Sequence, residues 1–294
     1  MFTLSGVEKM RFISYLVEGR PAFGAVQEDG VGIVNLSEAL GRMQLREALE
    51  SIGMEKLKEL ALRGRPERAL QDIEAYQPVV PDPRRIFCVG LNYEEHRREV
   101  NRDRTASPTI FLRLPHSQVG HGQPIVCPAE SDCLDYEGEI SIVIGHAGRR
   151  IRPEHAWKHI FGLAPYNDAS VRDWQAHTTQ WTPGKNFPST GAFGPMLVST
   201  DIVGESETLE LTTELNGMVV QSADTDMLIF PIPELVAYIS TFSPLSPGDV
   251  IVTGTPGGVG MKRNPALYMK AGDKVTVTVS RLGQLVNTVV KEGG

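Results

Sequence analysis

The sequence predicts a mainly β protein with additional helices, an α+β fold made of a small N-terminal domain and a larger second domain. Short runs rich in Ile and Val, separated by Gly- and Pro-bearing turns, recur through the chain after residue 79. Helix-like spacing of apolar residues is concentrated before residue 64. The 294 residues are too many for one ordinary core and too few for three domains.

The N-terminal region combines a predicted antiparallel meander with two predicted helices. Residues 11–34 alternate apolar and polar side chains around two glycine-containing turns. Leu and Ile then recur at about 3.6-residue spacing over Ser37–Ile52 and Met54–Arg63, with good helix formers between them. This region is therefore predicted to be a small α+β unit.

Three prolines mark the predicted boundary between the domains. Pro78, Pro81 and Pro83 fix backbone angles and remove hydrogen-bond donors within a short stretch. We accordingly predict a small domain at 1–78 and a larger domain at 79–294.

The larger domain is predicted to be built mainly from strands. Residues 85–90 indicate a buried strand that ends at a glycine turn and precedes a short polar helix. Further strands are predicted at 140–144, 196–198, 249–253 and 274–279. A helix near Pro233–Ser240 is the main exception. Such a chain has to be closed or layered to bury both faces of its sheets.

Composition excludes several classes of protein. No apolar run approaches the roughly 20 residues that a membrane span needs, and the first residues lack the pattern of a secretory signal. The net charge is −7 without a dense Lys/Arg stripe, so we expect no nucleic-acid partner. Cys88, Cys127 and Cys133 lack Cys-x-x-Cys spacing and indicate reduced thiols. We expect a cytoplasmic protein without a membrane partner.

The segment 134–145 carries acidic residues at alternate positions, Asp135, Glu137 and Glu139. On one strand face these side chains would lie about 6.6 Å apart, and their charges repel unless a cation or water intervenes. Either a divalent-metal site or a solvated edge strand fits this spacing. The apolar continuation of the strand favours the metal site.

A second acidic element places Asp168, Arg172 and Gln175 at separations of four and three residues. On a helix these residues share a face. Asp168 can then complete an all-oxygen coordination sphere, while Arg172 either binds a substrate carboxylate or pairs with Asp168. Oxygen ligands without a Cys or His cluster favour Mg²⁺, Mn²⁺ or Ca²⁺ over zinc.

A third element, 90–99, places His96 and Glu99 three residues apart, within reach across one helical turn. A carboxylate that hydrogen-bonds one imidazole nitrogen makes the other nitrogen a better base. The alternative is a pair of ordinary surface residues on a polar helix.

Separately, the glycine-rich loop 253–260 lacks a P-loop ending, yet its amides and Thr255 can hold a carboxylate.

Taken together, these segments resemble the fumarylacetoacetate hydrolase family in its shorter bacterial form. The resemblance covers about residues 85–290 and rests on motifs in a fixed order. These motifs are Val-Gly-Leu-Asn-Tyr-x-x-His-x-x-Glu at 89–99, Asp-Tyr-Glu-Gly-Glu at 135–139, Asn-Asp-x-Ser-x-Arg-Asp-x-Gln at 167–175, Lys185, Gly194-Pro195, and Thr-Gly-Thr-Pro-x-Gly-Val at 253–259.

The resemblance implies a β-roll or β-sandwich catalytic domain in a homodimer, with a small oxo-acid as substrate. It implies Mg²⁺ or Mn²⁺, with Ca²⁺ as an alternative, bound by Glu137, Glu139 and Asp168. It further implies that the catalytic residues are His96, Glu99 and Lys185. The substrate-binding residues would be Arg172, Gln175 and Thr255. Asp135 would then support the ligands without binding the ion.

One departure concerns the substrate. Many relatives have Phe-x-Lys where this chain has Phe111-Leu-Arg113. Arginine offers a planar fork where lysine offers a point charge, so we expect Arg113 to bind the substrate and the distal group of that substrate to differ.

The function that the resemblance implies is hydrolysis of a carbon-carbon bond in a 2,4-dioxo acid, such as an acylpyruvate or fumarylpyruvate, in aromatic catabolism. His96 and Glu99 would activate water, and Lys185 would place positive charge beside the developing oxyanion. The alternative is decarboxylation of oxaloacetate or isomerisation of an unsaturated oxo-acid at the same site. A non-catalytic binding protein is the most distant alternative.

Overall fold

A computed structural model describes residues 10–27 and 29–293, and strands dominate it. The strands are β1 (Arg11–Val17), β2 (Arg20–Val26), β3 (Gly32–Asn35), β4 (Arg68–Ala69), β5 (Ala75–Tyr76), β6 (Ile86–Gly90), β7 (Thr109–Arg113), β8 (Gln118–Val119), β9 (Ile125–Cys127), β10 (Leu134–Asp135), β11 (Gly138–Ile144), β12 (Ile160–Asp168), β13 (Ser170–Val171), β14 (Gly191–Phe193), β15 (Leu197–Ser199), β16 (Glu210–Leu215), β17 (Met218–Asp224), β18 (Val250–Val252), β19 (Lys274–Val279) and β20 (Gly283–Lys291). The helices are α1 (Leu36–Ala39), α2 (Leu45–Arg63), α3 (Glu94–Glu99), α4 (Arg172–Gln175), α5 (Thr182–Lys185) and α6 (Ile232–Phe242). The predicted mainly β, α+β fold is confirmed.

The strands form one large mixed sheet and two smaller sheets. The main path of the 13-stranded sheet is β4-β3-β2-β1-β15-β12-β11-β18-β6-β7. A five-stranded sheet has the order β17-β16-β19-β20-β9, and β10 pairs with β13. Within the large sheet β11 and β12 are antiparallel, whereas β18 and β6 are parallel.

The strand β11 lies at the centre of this arrangement and is buried on both faces. Ile140, Ile142 and Ile144 belong to the core shared with the five-stranded sheet. On the opposite face Val143 packs in a second core with Phe161 and with apolar residues of α2. Burial on both faces explains why this strand reads as a continuous apolar run.

The N-terminal meander is confirmed by the antiparallel pairing of β1 with β2 and of β2 with β3. The first predicted helix, Ser37–Ile52, is divided between α1 and the start of α2, because Gly41 and Arg42, with φ values of 68° and 70°, lie between them. The predicted break between the helices is present as a kink in α2, where Gly53 has φ 76° and ψ 163°.

The strands before the predicted boundary share a sheet and a core with the strands after it. Phe12 of β1 lies opposite Leu197 of β15. The rings of Phe12 and Phe161 are 4.8 Å apart, and both side chains are fully buried. The domain boundary between residues 78 and 79 stays a prediction. The contact between Phe12 and Phe161 joins the chain before this boundary to the chain after it.

The later strand and helix predictions agree with β6, β11, β15, β18, β19 and α6. The predicted helical turn from Asp168 to Gln175 is wrong, because Asp168 ends strand β12 and only Arg172–Gln175 is helical. The three cysteines are free thiols. Among the helices of the described residues, none has the length and apolar character that crossing a membrane requires.

We expect Phe161→Ala to lower the free energy of unfolding by about 3–5 kcal/mol, because it removes a fully buried ring from the contact between β1 and β12. Urea denaturation followed by circular dichroism measures this change. The matched control Val219→Ala removes an exposed side chain and should change stability by less than about 0.5 kcal/mol. A loss of under about 1 kcal/mol for Phe161→Ala would contradict the role given to this contact.

Candidate active site

The carboxylates of Glu137, Glu139 and Asp168 lie together in the protein interior. Their exposed fractions are 4%, 2% and 0%, and one oxygen from each lies within 4.8 Å of the others. The antiparallel pairing of β11 with β12 produces this convergence, since the Asp168 amide donates to the Glu137 carbonyl at 2.8 Å. The predicted grouping of these three residues is confirmed.

This group has the donor set for a hard divalent cation. Opposite oxygen ligands of one Mg²⁺ lie about 4.2 Å apart, so oxygens that all lie within 4.8 Å of one another are near enough to share one ion. Burial, together with the nearby charges of Asp168 and Glu137, raises the pKa of Glu139 well above its usual value. The backbone amide of Gly254, 2.5 Å from Glu139 Oε2, compensates only part of that charge. A divalent cation would relieve the remaining repulsion, so the residues fit a metal site.

Lysine and arginine neutralise the other two carboxylates. Lys185 Nζ lies 2.6 Å from Glu137 Oε2 and 2.6 Å from Asp168 Oδ2. Arg172 Nη1 lies 2.6 Å from Glu137 Oε1. Burial alone would raise the pKa of Glu137, but these two cations outweigh it and lower the pKa to about 2. Glu137 is therefore held as a carboxylate across the physiological pH range.

The structure places Arg113 behind Asp168 and away from the cavity wall. Its guanidinium is 1% exposed, and Nη1 lies 2.6 Å from Asp168 Oδ1. Ser117 and Thr190 accept from its other nitrogens at 3.2 Å and 2.7 Å. The predicted contact of Arg113 with substrate is corrected, because these buried partners use its donors to hold Asp168 in place.

Of the two alternatives for Arg172, the pairing with Asp168 does not form. Arg172 Nε donates to Asp135 Oδ2 at 2.8 Å, and its other ion pair is with Glu137. Asp168 precedes the short strand β13, so it does not share a helical face with Arg172. The fork of Arg172 instead joins two acidic residues of the 135–139 segment.

Asp135 lies outside the metal-binding group, as the resemblance implied. The strand is interrupted after Asp135, so the single strand face expected for Asp135, Glu137 and Glu139 does not form. The Asp135 carboxylate accepts from the amides of Gly260 and Met261 at 2.8 Å and 3.0 Å. Its role is to anchor the glycine-rich loop and Arg172.

His96 and Glu99 form the predicted pair on helix α3. His96 Nδ1 lies 3.2 Å from Glu99 Oε2, and the histidine is only 6% exposed. Glu99 Oε1 also accepts from the amide of Gly258 at 3.1 Å. Burial and the second hydrogen bond of Glu99 argue against the alternative of ordinary surface residues.

A cavity of about 270 Å³ brings most predicted site residues together. Those in its wall are His96, Glu137, Glu139, Arg172, Gln175, Lys185 and Thr255. Thr255 is tied into the fold, since its hydroxyl donates to the Gly138 carbonyl and accepts from Gln221. The carbonyl oxygen of the Gln175 side chain accepts from Arg172 at 3.0 Å.

Sequence reasoning missed several residues that build this cavity. Asn92 is fully buried and donates to the Thr253 carbonyl at 2.8 Å, which fixes the glycine-rich loop. A Cβ atom at Gly254, where φ is 107°, would meet the Asn92 Cβ at 2.7 Å. Asn92 lies in the 89–99 motif, which could have indicated its role. No spacing in the sequence points to Gln221, which accepts from the Gly138 amide at 2.9 Å.

The ring of Trp181 forms part of the cavity wall. It covers Gly90 so closely that a Cβ atom there would meet the ring at 2.3 Å. The rings of Trp181 and Phe111 are 5.4 Å apart in an edge-to-face contact. Both aromatic rings line the cavity, and the Lys185 ammonium lies 4.9 Å from the centre of the Phe111 ring.

The fold and the site together define a metal-site protein of mainly β architecture, with three buried carboxylates beside a histidine–carboxylate pair. The chain belongs to the fumarylacetoacetate hydrolase family. Residues 85–290 match the family description "Fumarylacetoacetate (FAA) hydrolase C-terminal". The resemblance found in the motifs is thereby confirmed.

Relatives in this family carry different activities in their names. The mitochondrial oxaloacetate tautomerase fahd2 of Xenopus laevis is 35% identical over 276 residues, which cover 92% of this chain and 86% of that protein. The fumarylacetoacetate hydrolase of Exiguobacterium antarcticum superposes with a TM-score of 0.80 at 29% identity, covering 96% of this chain and 100% of that one. Maleylpyruvate hydrolase of Sphingobium sp. SYK-6, solved with manganese(II) and pyruvate, gives 0.79 at 26% identity, covering 96% and 99%.

We expect Glu139→Gln to weaken Mn²⁺ binding at least about tenfold, because the change removes the charge of one of the three carboxylates that face one another. Isothermal titration calorimetry measures the affinity, and Glu210→Gln, an exposed acidic residue, is the matched control.

The same variant tests the electrostatic argument without metal. The folded-state pKa of Glu139 is raised, so its ionisation destabilises the metal-free protein as the pH rises above the ordinary carboxyl range. Metal-free Glu139→Gln should therefore melt no lower than the wild type at neutral pH. An equal rise in melting temperature with Mn²⁺ in both proteins would contradict the ligand role of Glu139.

Proposed function

We propose that this protein is a divalent-metal-dependent enzyme that transfers a proton on a small 2-oxo acid, with keto–enol tautomerisation of oxaloacetate as the first candidate reaction. The observation that carries this proposal is that His96 and the metal-binding carboxylates Glu137 and Glu139 face one cavity. The similarity to the oxaloacetate tautomerase of Xenopus laevis over 92% of this chain supports it.

The metal would be Mg²⁺ or Mn²⁺, with Ca²⁺ as an alternative, held by Glu137, Glu139 and Asp168. When bound, such an ion supplies a Lewis acid that polarises the oxo group of a chelating acid. The manganese in the related maleylpyruvate hydrolase structure supports this choice.

His96 would be the base that moves the proton. The Glu99 carboxylate can only accept a hydrogen bond, so Nδ1 of His96 carries the proton and Nε2 is free to take another. Nε2 would remove a proton from the carbon beside the oxo group, whose C–H electron pair would form the C=C bond while the oxo oxygen becomes an enolate. That oxygen would then take up a proton from His96 or from solvent to complete the enol, and the reverse direction would return a proton to carbon. Glu99 holds the ring and stabilises its charged form.

Lys185 would stabilise negative charge that develops on the substrate oxygen. Its ammonium group is 1% exposed and lies between Glu137 and Asp168, so its position is fixed before substrate binds. A preorganised charge of this kind requires little reorganisation during the reaction.

The second candidate is hydrolysis of a carbon-carbon bond in a 2,4-dioxo acid. The same Nε2 of His96 could deprotonate water, whose oxygen would attack the distal carbonyl. The bond between that carbonyl and the neighbouring carbon would break, and the leaving carbon would then take up a proton. The related maleylpyruvate hydrolase structure, which contains pyruvate, favours keeping this candidate.

The homodimer and the cytoplasmic location stay predictions.

We expect His96→Asn to lower kcat/KM by about 100- to 10,000-fold while Mn²⁺ affinity stays unchanged, because the change removes the base and no metal ligand. Loss of enol absorbance, with oxaloacetate, acetylpyruvate and fumarylpyruvate as substrates, measures turnover. The control is His155→Asn, which changes an exposed histidine outside the cavity. Full activity of His96→Asn on every substrate that the wild type converts would contradict the assignment.

Product analysis separates the two candidates. Tautomerisation speeds the interconversion of keto and enol oxaloacetate and leaves the carbon skeleton intact, whereas hydrolysis of a dioxo acid produces pyruvate and a second acid that nuclear magnetic resonance detects. Wild-type turnover without carbon-carbon cleavage on any dioxo acid in the panel would exclude the second candidate for these substrates.

A further inference from the structure

The cavity wall contains four cationic side chains that differ in their partners. Arg172 and Lys185 lie at its floor and are paired with buried carboxylates. Arg102 and Lys262 also line the cavity, but both are exposed. Within residues 10–27 and 29–293, neither of these two forms an ion pair. Their positive charges are therefore available to a ligand.

Arg102 is held against the end of helix α3. Its amide donates to the Arg97 carbonyl at 3.0 Å, and Arg97 Nη1 donates back to the Arg102 carbonyl. Arg97 is itself fixed by an ion pair with Glu94 at 2.6 Å. The backbone that carries Arg102 is therefore tied to the same helix as His96.

Lys262 ends a short 3₁₀ turn, Gly260–Lys262. The first two amides of this turn donate to the Asp135 carboxylate, and the Lys262 amide donates to the Val259 carbonyl at 3.2 Å. Asp135 thus holds the turn that carries Lys262, and it also holds the side chain of Arg172 at the cavity floor.

Glu99 connects the two segments. One of its oxygens contacts His96, and the other accepts from the amide of Gly258, just before the turn that carries Lys262. The chain segments of Arg102 and Lys262 are therefore held beside the same cavity by the residue that orients His96.

We propose that Arg102 and Lys262 bind a second carboxylate, so that the enzyme selects 2-oxo diacids over 2-oxo monoacids. This inference rests on the proposed function, in which the 2-oxo acid group binds at the carboxylate floor. Arg172 and Lys185 are already ion-paired at the floor, where Arg172 Nη2 alone has no hydrogen-bond partner among the described residues, so Arg102 and Lys262 are the cavity's two cations without an ion pair there. Charge-assisted contacts of this kind are stronger than neutral hydrogen bonds.

The net charge of the chain gives a second reason. At −7, the protein as a whole repels a dianion, and local cations at the cavity counteract that repulsion. The side chains of Val89, Val100, Phe111 and Trp181 give the cavity apolar wall for the carbon chain of the ligand. Arg102 thus takes the distal-group role that the sequence had suggested for Arg113.

The test compares ligands that differ only in the distal group. Binding of oxaloacetate and 2-oxobutanoate, and of 2-oxoglutarate and 2-oxopentanoate, is measured by calorimetry on the Mn²⁺-loaded protein. We expect the double variant Arg102→Gln/Lys262→Gln to bind each diacid about 10- to 100-fold more weakly and to bind each monoacid as the wild type does. Oxalate, which mimics only the head of the substrate, should bind both proteins equally.

A matched control is the double variant Arg149→Gln/Lys270→Gln, which removes the same charge from exposed residues outside the cavity wall. It should leave diacid binding unchanged. Equal weakening of diacids and monoacids, or no weakening of diacids in Arg102→Gln/Lys262→Gln, would overturn the inference while oxalate still binds. Failure of the wild type to bind oxalate or any of the oxo acids would instead overturn the proposed function.

Discussion

The buried negative charge at the site is the constraint on which the surrounding structure depends. Four buried carboxylates lie at the site: Asp135, Glu137, Glu139 and Asp168. Arg113, Arg172 and Lys185 are buried beside them, and removal of one partner from such a pair leaves an unbalanced charge that costs about 3–5 kcal/mol. Among the described residues, the Glu139 carboxylate accepts a hydrogen bond only from the Gly254 amide, so the imbalance is concentrated where a divalent cation fits.

Two acidic residues extend this arrangement from the floor of the cavity to the residues around it. Asp135 binds Arg172 and the amides of the turn before Lys262. Glu99 binds His96 and the amide of Gly258 in the same loop. His96, the glycine-rich loop and the turn that carries Lys262 are therefore positioned by shared hydrogen bonds, and a change at either carboxylate would affect more than one of them.

The same geometry is compatible with more than one reaction, as the relatives indicate by their names. Under the proposed function, a base beside a chelated oxo acid can take a proton from carbon or from water. The outcome would then depend on which atom of the substrate lies next to His96. A fold is thus an insufficient guide to activity, and the contacts of the substrate's distal end become decisive.

The sequence by itself determined the local features: the N-terminal meander, the apolar strand β11, helix α6, and the His96–Glu99 pair across one helical turn. The ordered motifs also identified the family. The tertiary structure alone decided that Arg113 lies behind Asp168, that Arg172 pairs with Asp135 and Glu137, and that Asp168 ends a strand. Residue spacing describes neighbours along one element, whereas these partners come from segments brought together by strand pairing.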